Sequence, residues 1–171
     1  MILAAGRGER LRPLTDTIPK PLLEIAGKPL IVYQLEALAK ANVHEIVINL
    51  GHLGQQIRAY LGDGGRYAVD ITYSDEGDAP LETAGGIIQA LPLLGDESFI
   101  VTNADIYTDF DYAALPVLSD KEAHLILVEN PPHNLAGDFA LRDGKVAAAA
   151  EQKLTYSGIG VYRPVFFKGL A

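Results

Sequence analysis

Short apolar runs alternate with amphipathic segments along most of the chain. The runs predict strands at residues 1–5, 45–50, 69–74, 99–102 and 124–129. The segments with apolar residues near helical spacing predict helices at residues 30–41, 55–61 and 83–91. Strands that alternate with helices form parallel sheets, because each helix returns the chain to the edge where the previous strand began. We therefore predict an α/β fold with a doubly wound, mostly parallel, Rossmann-like sheet.

The pattern changes after Glu129. Residues 139–146 predict a hairpin that turns at 142–144, and residues 155–162 predict a further strand. We expect this later part to add a mixed, partly antiparallel extension to the sheet. The sequence has no internal repeat, low-complexity tract or linker, and its 171 residues fit one domain.

Composition excludes several classes of protein. Fourteen Lys and Arg against 22 Asp and Glu give a net charge of −8, which argues against nucleic acid or an anionic membrane as a partner. The absence of cysteine excludes disulfide scaffolds, thiolate zinc sites and cysteine nucleophiles. The apolar runs fall short of the ~20 residues of a membrane span, and the first residues do not resemble a signal peptide. We expect a soluble, cytoplasmic protein, whose oligomeric state the sequence leaves open.

The loop after the first predicted strand carries the richest set of chemical groups. Gly6 and Gly8 allow backbone N–H groups to approach an anion, while Arg10 and Lys20 supply positive charge. These groups are typical of phosphate binding. A dinucleotide fingerprint would need glycine at Leu11, and a P-loop would need Gly-Lys-Ser/Thr. Taken alone, the two glycines fit a plain surface loop with solvated arginines equally well.

The whole string Leu-Ala-Ala-Gly-x-Gly-x-Arg-Leu-x-Pro-Leu-Thr at 3–15, with Pro-Lys-Pro-Leu at 19–22, resembles the signature of the sugar-phosphate nucleotidylyltransferases. Members of that family couple a sugar 1-phosphate to a nucleoside triphosphate and release pyrophosphate. The resemblance implies an enzyme with two catalytic cations: Arg10 on the β and γ phosphates, and Lys20 on the α-phosphate or the sugar phosphate. It also implies that the nucleotide is bound at Leu3, Ala4, Ala5, Gly6, Arg7 and Gly8.

A second stretch that matches the family is 99–105, an apolar strand that runs into Asn103 and Asp105. The family usually has Gly-Asp here, and Ala104 replaces that glycine. The resemblance implies that Asp105 is a ligand of the cofactor Mg²⁺ and that Asn103 contacts hydroxyl groups of the sugar. A single carboxylate is compatible with Mg²⁺, which also takes phosphate oxygens and waters. The alternative is that Asp105 caps a helix or a turn.

The segment 74–86 resembles the family's Pro-Leu-Gly-Thr-Ala-Gly loop, whose backbone reads the edge of the base. Glu82 stands where the family usually has glycine, and a residue other than glycine resists positive φ. The base-reading geometry of the family therefore does not transfer directly to this loop. The alternative is an acidic turn in which Thr83 caps a helix. The resemblance implies nucleotide binding at Glu76, Pro80, Glu82 and Thr83.

Sugar binding is implied further along the chain. Carboxylates, amides and backbone N–H groups suit sugar hydroxyls, but for Asp138 and Glu151 surface charge is the alternative. The resemblance places the sugar-binding groups at Asn103, Gly137, Asp138, Glu151 and Ser157.

Within the family, Glu82 and the stretches 45–57 and 156–159 resemble the bacterial uridylyltransferases of peptidoglycan recycling. We therefore expect UTP as the donor and N-acetylmuramate 1-phosphate as the acceptor. One alternative is mannose-1-phosphate guanylyltransferase. Another is a non-catalytic, nucleotide-sugar-binding regulatory subunit, although binding alone does not require Arg10, Lys20 and Asp105 together.

The family generally carries a second metal-binding Asp in a stretch resembling Asp-x-Gly-Thr-Pro, and residues 1–171 contain no such stretch. We therefore expect a single nucleotidyltransferase domain, 1–171, that lacks its C-terminal segment. The alternative is that the second carboxylate has been lost.

Overall fold

The computed structural model describes residues 1–77, 81–119, 122–147 and 152–170. These residues contain the strands β1 (Ile2–Leu3), β2 (Glu24–Ile25), β3 (Lys28–Pro29), β4 (Glu45–Leu50), β5 (Asp70–Asp75), β6 (Phe99–Asn103), β7 (Ala123–Val128), β8 (Ala140–Arg142), β9 (Lys145–Ala147) and β10 (Thr155–Tyr162). They also contain the helices α1 (Leu30–Lys40), α2 (Gly54–Leu61) and α3 (Glu82–Leu94). Every predicted strand and helix is present, and the small β2–β3 hairpin has no counterpart among the predicted elements.

The main sheet has six strands in the order β5-β4-β1-β6-β10-β7. β1 lies parallel to both of its neighbours, with Ile2 opposite Ile48 on β4 and opposite Thr102 on β6. β10 runs antiparallel to β6 and to β7. The predicted mostly parallel sheet with an antiparallel extension is therefore confirmed, and β8 and β9 form the predicted hairpin beside it.

Helices cover both faces of this sheet, as a doubly wound fold requires. Ile31 and Leu35 of α1 and Ile57 of α2 belong to one buried cluster with Ile48 of β4. Side chains of α3 form a second cluster with Val47, which points to the opposite face from Ile48 because successive strand residues alternate. Within the described residues, none of the helices has the length and apolar content needed to cross a membrane.

β1 marks the point where the order of strands reverses. The chain passes from β1 to β4 and β5 on one side, and then returns to place β6 on the other side of β1. Loops that leave neighbouring strands in opposite directions open a crevice at the carboxyl ends of those strands. β1 itself is shorter than predicted, because the Ala4 N–H donates to Asn49 Oδ1 at 2.7 Å instead of continuing a ladder.

We expect Ile48→Ala to lower the free energy of unfolding by about 2–5 kcal/mol, because Ile48 is fully buried between β1 and the helices. Urea unfolding followed by circular dichroism measures the change. Val117→Ala is the matched control: Val117 is 87% exposed, and its truncation should stay within about 0.5 kcal/mol. Equal losses for the two variants would contradict the assignment of Ile48 to the core.

Candidate active site

A cavity of about 660 Å³ opens at the carboxyl ends of β1, β4 and β6. Its size falls within the range of small-molecule sites. Most of the residues predicted for the site line it: Leu3, Ala4, Ala5, Gly6, Arg7, Gly8, Arg10, Lys20, Glu76, Glu82, Thr83, Asn103 and Asp105. The structure therefore brings together residues from three loops that are far apart in the sequence.

The loop after β1 is folded back on itself rather than open. Gly8 has φ of 64°, and its carbonyl accepts a hydrogen bond of 2.9 Å from the buried Thr15 Oγ1. A Cβ atom on Gly8 would lie 2.9 Å from Thr15 Cγ2. Gly8 is thus required by its left-handed backbone and by the close approach of Thr15.

The next strand also supports this loop. A Cβ atom on Gly51, directly after β4, would lie 2.8 Å from the Ala5 carbonyl oxygen. His52 Nε2 lies 3.1 Å from the Thr15 carbonyl oxygen. These contacts hold the loop after β1 against the loop after β4, and the sequence reasoning did not include Gly51 or His52 in the site.

Lys20 and Asp105 form an ion pair across the cavity. Lys20 Nζ donates to Asp105 Oδ2, and the two side chains are 25% and 33% exposed. The pair joins the loop after β1 to the end of β6, 85 residues away. The next helical turn along the chain begins at Tyr112 with Asp111 as its cap, and the Asp105 carboxylate accepts from Lys20.

Asn49 connects the loop after β1 to the loop after β5. Besides accepting from Ala4, it donates through Nδ2 to Glu76 Oε1 at 2.6 Å. The other carboxylate oxygen, Glu76 Oε2, accepts from the Leu81 N–H at 3.3 Å. The sequence prediction missed Asn49, although an amide near the end of an otherwise apolar strand is a signal for such a role.

Gly86 permits α3 to begin directly against this network. A Cβ atom on Gly86 would lie 2.3 Å from Glu76 Oε1 and 2.9 Å from Asn49 Nδ2. A side chain at position 86 would therefore displace the Glu76 carboxylate and the Asn49 amide from each other, so glycine preserves their hydrogen bond. The sequence prediction assigned no role to Gly86.

Glu82 begins α3 with φ of 58°. Glu82 therefore adopts the positive φ that residues other than glycine resist. The left-handed conformation costs an ordinary residue roughly 1–2 kcal/mol, so packing of the loop outweighs the local preference. The alternative in which Thr83 caps the helix is also wrong, because the cap position is Leu81 and no side chain caps it.

Asn103 is positioned by a bulge in β10. The register of β10 against β7 shifts between Tyr156 and Gly160, and Gly158 inside the bulge has φ of 82°. A Cβ atom on Gly158 would lie 2.6 Å from Asn103 Nδ2. The glycine therefore gives the Asn103 amide room at the edge of the cavity.

Three of the predicted sugar-binding residues do not line the cavity. The Asp138 carboxylate accepts from the Tyr156 N–H at 2.8 Å and from Asn134 Nδ2 at 3.1 Å. Gly137 has φ of 62° beside Lys153, and Ser157 Oγ accepts from its neighbour Ile159 N–H at 3.2 Å. Each of these groups supports the local loop structure.

Two further predicted site residues, Pro80 and Glu151, lie outside the described residues. Within the described part of the chain, no three His, Asp or Glu side chains are grouped to hold a metal ion.

The chain matches the nucleotidyl transferase family over residues 1–139. It is 56% identical to the N-acetylmuramate α-1-phosphate uridylyltransferase of Neisseria meningitidis, over 99% of this chain and 77% of that protein. It is 32% identical to the UTP–glucose-1-phosphate uridylyltransferase of Synechocystis and 36% identical to the β catalytic subunit of mannose-1-phosphate guanylyltransferase of Dictyostelium discoideum. The chain spans 48% of each of these two longer relatives.

Solved structures share the fold. A UDP-glucose pyrophosphorylase complexed with UDP-glucose superposes with a TM-score of 0.74 at 21% identity, over 98% of this chain and 76% of that one. HddC from Yersinia pseudotuberculosis complexed with GMP-PN gives a TM-score of 0.78 at 24% identity, over 98% and 77%. The predicted fold class is confirmed by both likenesses.

We expect Glu82→Gly to raise the free energy of unfolding by about 1 kcal/mol, because glycine adopts the positive φ of this position without strain. Thr83→Gly, one residue further into α3, should lower it by about 1 kcal/mol. Urea unfolding of the two variants beside the parent protein measures both changes. Destabilisation by both substitutions would contradict the strained backbone at Glu82.

Proposed function

The chain belongs to the nucleotidyl transferase family, and from that premise we propose that it transfers a uridylyl group from UTP to N-acetylmuramate 1-phosphate. The family predicted from the sequence and the enzyme class, sugar-1-phosphate nucleotidyl transfer, are confirmed by the relatives. The choice of UTP and of this acceptor rests on the Neisseria meningitidis relative, which matches over 99% of the chain.

In the proposed reaction, a phosphate oxygen of the sugar 1-phosphate attacks the α-phosphorus of UTP. The bond between that phosphorus and the oxygen that leads to the β-phosphate breaks, and pyrophosphate leaves with the electron pair. The products are a UDP-sugar and pyrophosphate. Two polyanions must meet for this step, so the protein's main tasks are to position them and to neutralise the charge that develops.

The observation that carries the proposal is the meeting of Arg10, Lys20 and Asp105 at one cavity. Arg10, on the loop after β1, supplies a planar fork that matches two oxygens of the departing pyrophosphate. Lys20 supplies a mobile point charge for the α-phosphate or the sugar phosphate. The backbone of Leu3 to Gly8 lines the same cavity and would hold the nucleotide.

Asp105 fits a cation shared with the substrates. Mg²⁺ takes one or two protein carboxylates and completes its shell with phosphate oxygens and waters, and the Asp105 carboxylate lies at the cavity wall. Mg²⁺ bound there would neutralise phosphate charge and polarise the α-phosphate. Asp105 would hold it, with Lys20 as the neighbouring positive charge.

Substrate binding requires the Lys20–Asp105 pair to exchange partners. Lys20 and Asp105 neutralise each other at the cavity wall. A triphosphate offers Lys20 a more highly charged partner, and a cation does the same for Asp105. The pair thus keeps both groups ordered in the cavity while leaving both available to the substrates.

The sugar is proposed to bind beside Asn103, which lines the cavity. The predicted contacts of Gly137, Asp138 and Ser157 remain predictions, and their present hydrogen bonds favour a role in shaping the loop next to Asn103. Peptidoglycan recycling is the proposed setting of this activity, and it rests on the resemblance of the sequence to that branch of the family.

Pyrophosphate release distinguishes the candidate functions. UTP, GTP, CTP and dTTP are each combined with N-acetylmuramate, mannose and glucose 1-phosphates in the presence of Mg²⁺. Release with UTP and N-acetylmuramate 1-phosphate supports the proposal. Release with GTP and mannose 1-phosphate would instead favour the activity named for the Dictyostelium discoideum relative. Nucleotide binding without release from any pair would favour the regulatory subunit.

We expect Asp105→Ala to lower Mg²⁺-dependent turnover by about 10²-fold or more, because it removes the proposed cation ligand together with the partner of Lys20. Pyrophosphate release at saturating substrates measures the loss, and circular dichroism checks that the variant is folded. Asp70→Ala is the control, since Asp70 is exposed at the opposite end of β5. Turnover near that of the parent protein would remove Asp105 from the mechanism.

We expect Lys20→Met to separate cation binding from turnover. Loss of the competing ammonium group should tighten Mn²⁺ binding to the nucleotide-free protein by about twofold to fivefold, as for a partly exposed ion pair. Turnover should nevertheless fall, because the phosphates lose a positive partner. Electron paramagnetic resonance of free Mn²⁺ measures the first effect, and weaker Mn²⁺ binding would contradict the exchange of partners.

A further inference from the structure

Gln34 is a buried amide on an apolar helix face. It lies on α1 between residues of the main core cluster, such as Ile31 and Leu35, and is 1% exposed. Burying an amide costs free energy unless its donors and acceptors are matched. A leucine or methionine would fill similar space without that cost, so the polar contacts of Gln34 need a physical reason.

The amide of Gln34 is hydrogen-bonded at both ends. Its Nε2 donates to the Ile106 carbonyl oxygen at 2.7 Å. Its Oε1 accepts from the Tyr112 hydroxyl and, at 3.3 Å, from Thr102 Oγ1. Because a carbonyl oxygen only accepts, the NH₂ group must face Ile106, and this fixes which way the amide points.

These contacts lie on either side of Asp105 in the sequence. Thr102 belongs to β6 and comes three residues before Asp105, and Ile106 is the residue directly after it. Ala104 is held between them, because its N–H donates to the Leu3 carbonyl oxygen at 2.9 Å. Gln34 therefore braces the short segment from which Asn103 and Asp105 reach the cavity.

The hydrogen bonds of Gln34 reach this segment from outside the cavity. Thr102 is fully buried on the α1 side of β6, whereas Asn103 and Asp105 line the cavity wall. The Thr102 and Tyr112 hydroxyls lie 2.9 Å apart. Because each hydroxyl has one proton and Tyr112 donates to the Gln34 oxygen, Thr102 donates either to that oxygen or to the Tyr112 oxygen. These hydrogen bonds favour one backbone position for the segment.

We propose that Gln34 is a positioning residue for Asp105: its bonds to Ile106, Tyr112 and Thr102 set the place of the carboxylate at which the cation and Lys20 engage it. The proposal rests on the function proposed above. Outer contacts of this kind typically change metal affinity by about 10-fold to 100-fold when they are removed. Gln34 touches neither substrate nor cation, so its effect passes through the backbone of the loop.

The test measures Mn²⁺ binding to the full chain in the presence of a UTP analogue with a non-hydrolysable α,β bridge. Gln34→Leu should weaken Mn²⁺ binding by about 10-fold or more and raise the Mg²⁺ concentration for half-maximal turnover by a similar factor. Binding of the analogue without metal should change less than twofold, because the loop after β1 keeps its own contacts to Thr15 and Asn49.

Leu38→Ala is the matched structural control, since Leu38 lies on the same helix in the same core cluster and is 1% exposed. It should lower stability while leaving the Mn²⁺ affinity within twofold of the parent protein. Tyr112→Phe is the second variant and covers the case in which Gln34→Leu does not fold. It removes one hydrogen bond from the Gln34 oxygen and should weaken Mn²⁺ binding about threefold.

The outcomes separate the two proposals. Unchanged Mn²⁺ affinity in Gln34→Leu, or in Tyr112→Phe if the first variant is unfolded, would overturn the positioning role. The same loss of Mn²⁺ affinity in Leu38→Ala would overturn it as well, because general destabilisation would then explain the effect. If the parent protein binds Mn²⁺ with the analogue but releases no pyrophosphate with any pair of substrates, the proposed function fails and the Mn²⁺ comparison still stands.

Discussion

The parallel pairing of β1 with β4 on one side and β6 on the other is the constraint on which the rest of this structure depends. It places a two-residue strand at the centre of the sheet, where the strand order reverses. The loops after β1 and β6 therefore line one cavity at the carboxyl edge of the sheet, together with Asn49 of β4 and the loop after β5. The residues proposed to bind phosphate, base and metal share a site because of this pairing.

Hydrogen bonds from polar side chains on buried elements hold these loops in a defined geometry. Asn49 ties the loop after β1 to Glu76, and Gln34 braces the end of β6 from the opposite face of the sheet. Between them, Lys20 and Asp105 neutralise each other at the cavity wall. Buried amides with matched partners have one preferred arrangement, so they support a site in which Lys20 and Asp105 are proposed to change partners when the substrates bind.

The prediction from the sequence was most successful where a local pattern carries the information. The strands, the helices, and the clustering of Arg10, Lys20 and Asp105 follow from apolar periodicity and from one long motif. It did not reach the contacts that distant neighbours decide. Glu82 adopts a left-handed backbone that its residue type disfavours. Asp138, whose contact to the sugar remains a prediction, accepts a hydrogen bond from the Tyr156 N–H. Asn49 and Gln34 gain their roles from partners 45 and 72 residues away, and no local pattern encodes those distances.

By itself, the sequence determined the fold class, the family and the phosphate-binding character of the loop after β1, because these follow from periodicity and from the residue types of one continuous stretch. Only the tertiary structure decided which polar groups face the cavity and which are hydrogen-bonded to the protein groups that shape it. Glu76 and Asp105 are both carboxylates of strand-end loops, yet one is bonded to Asn49 and the other to the mobile charge of Lys20. That difference arises from side chains that meet across the sheet, and the free energy of a hydrogen bond depends on such partners and on burial rather than on position along the chain.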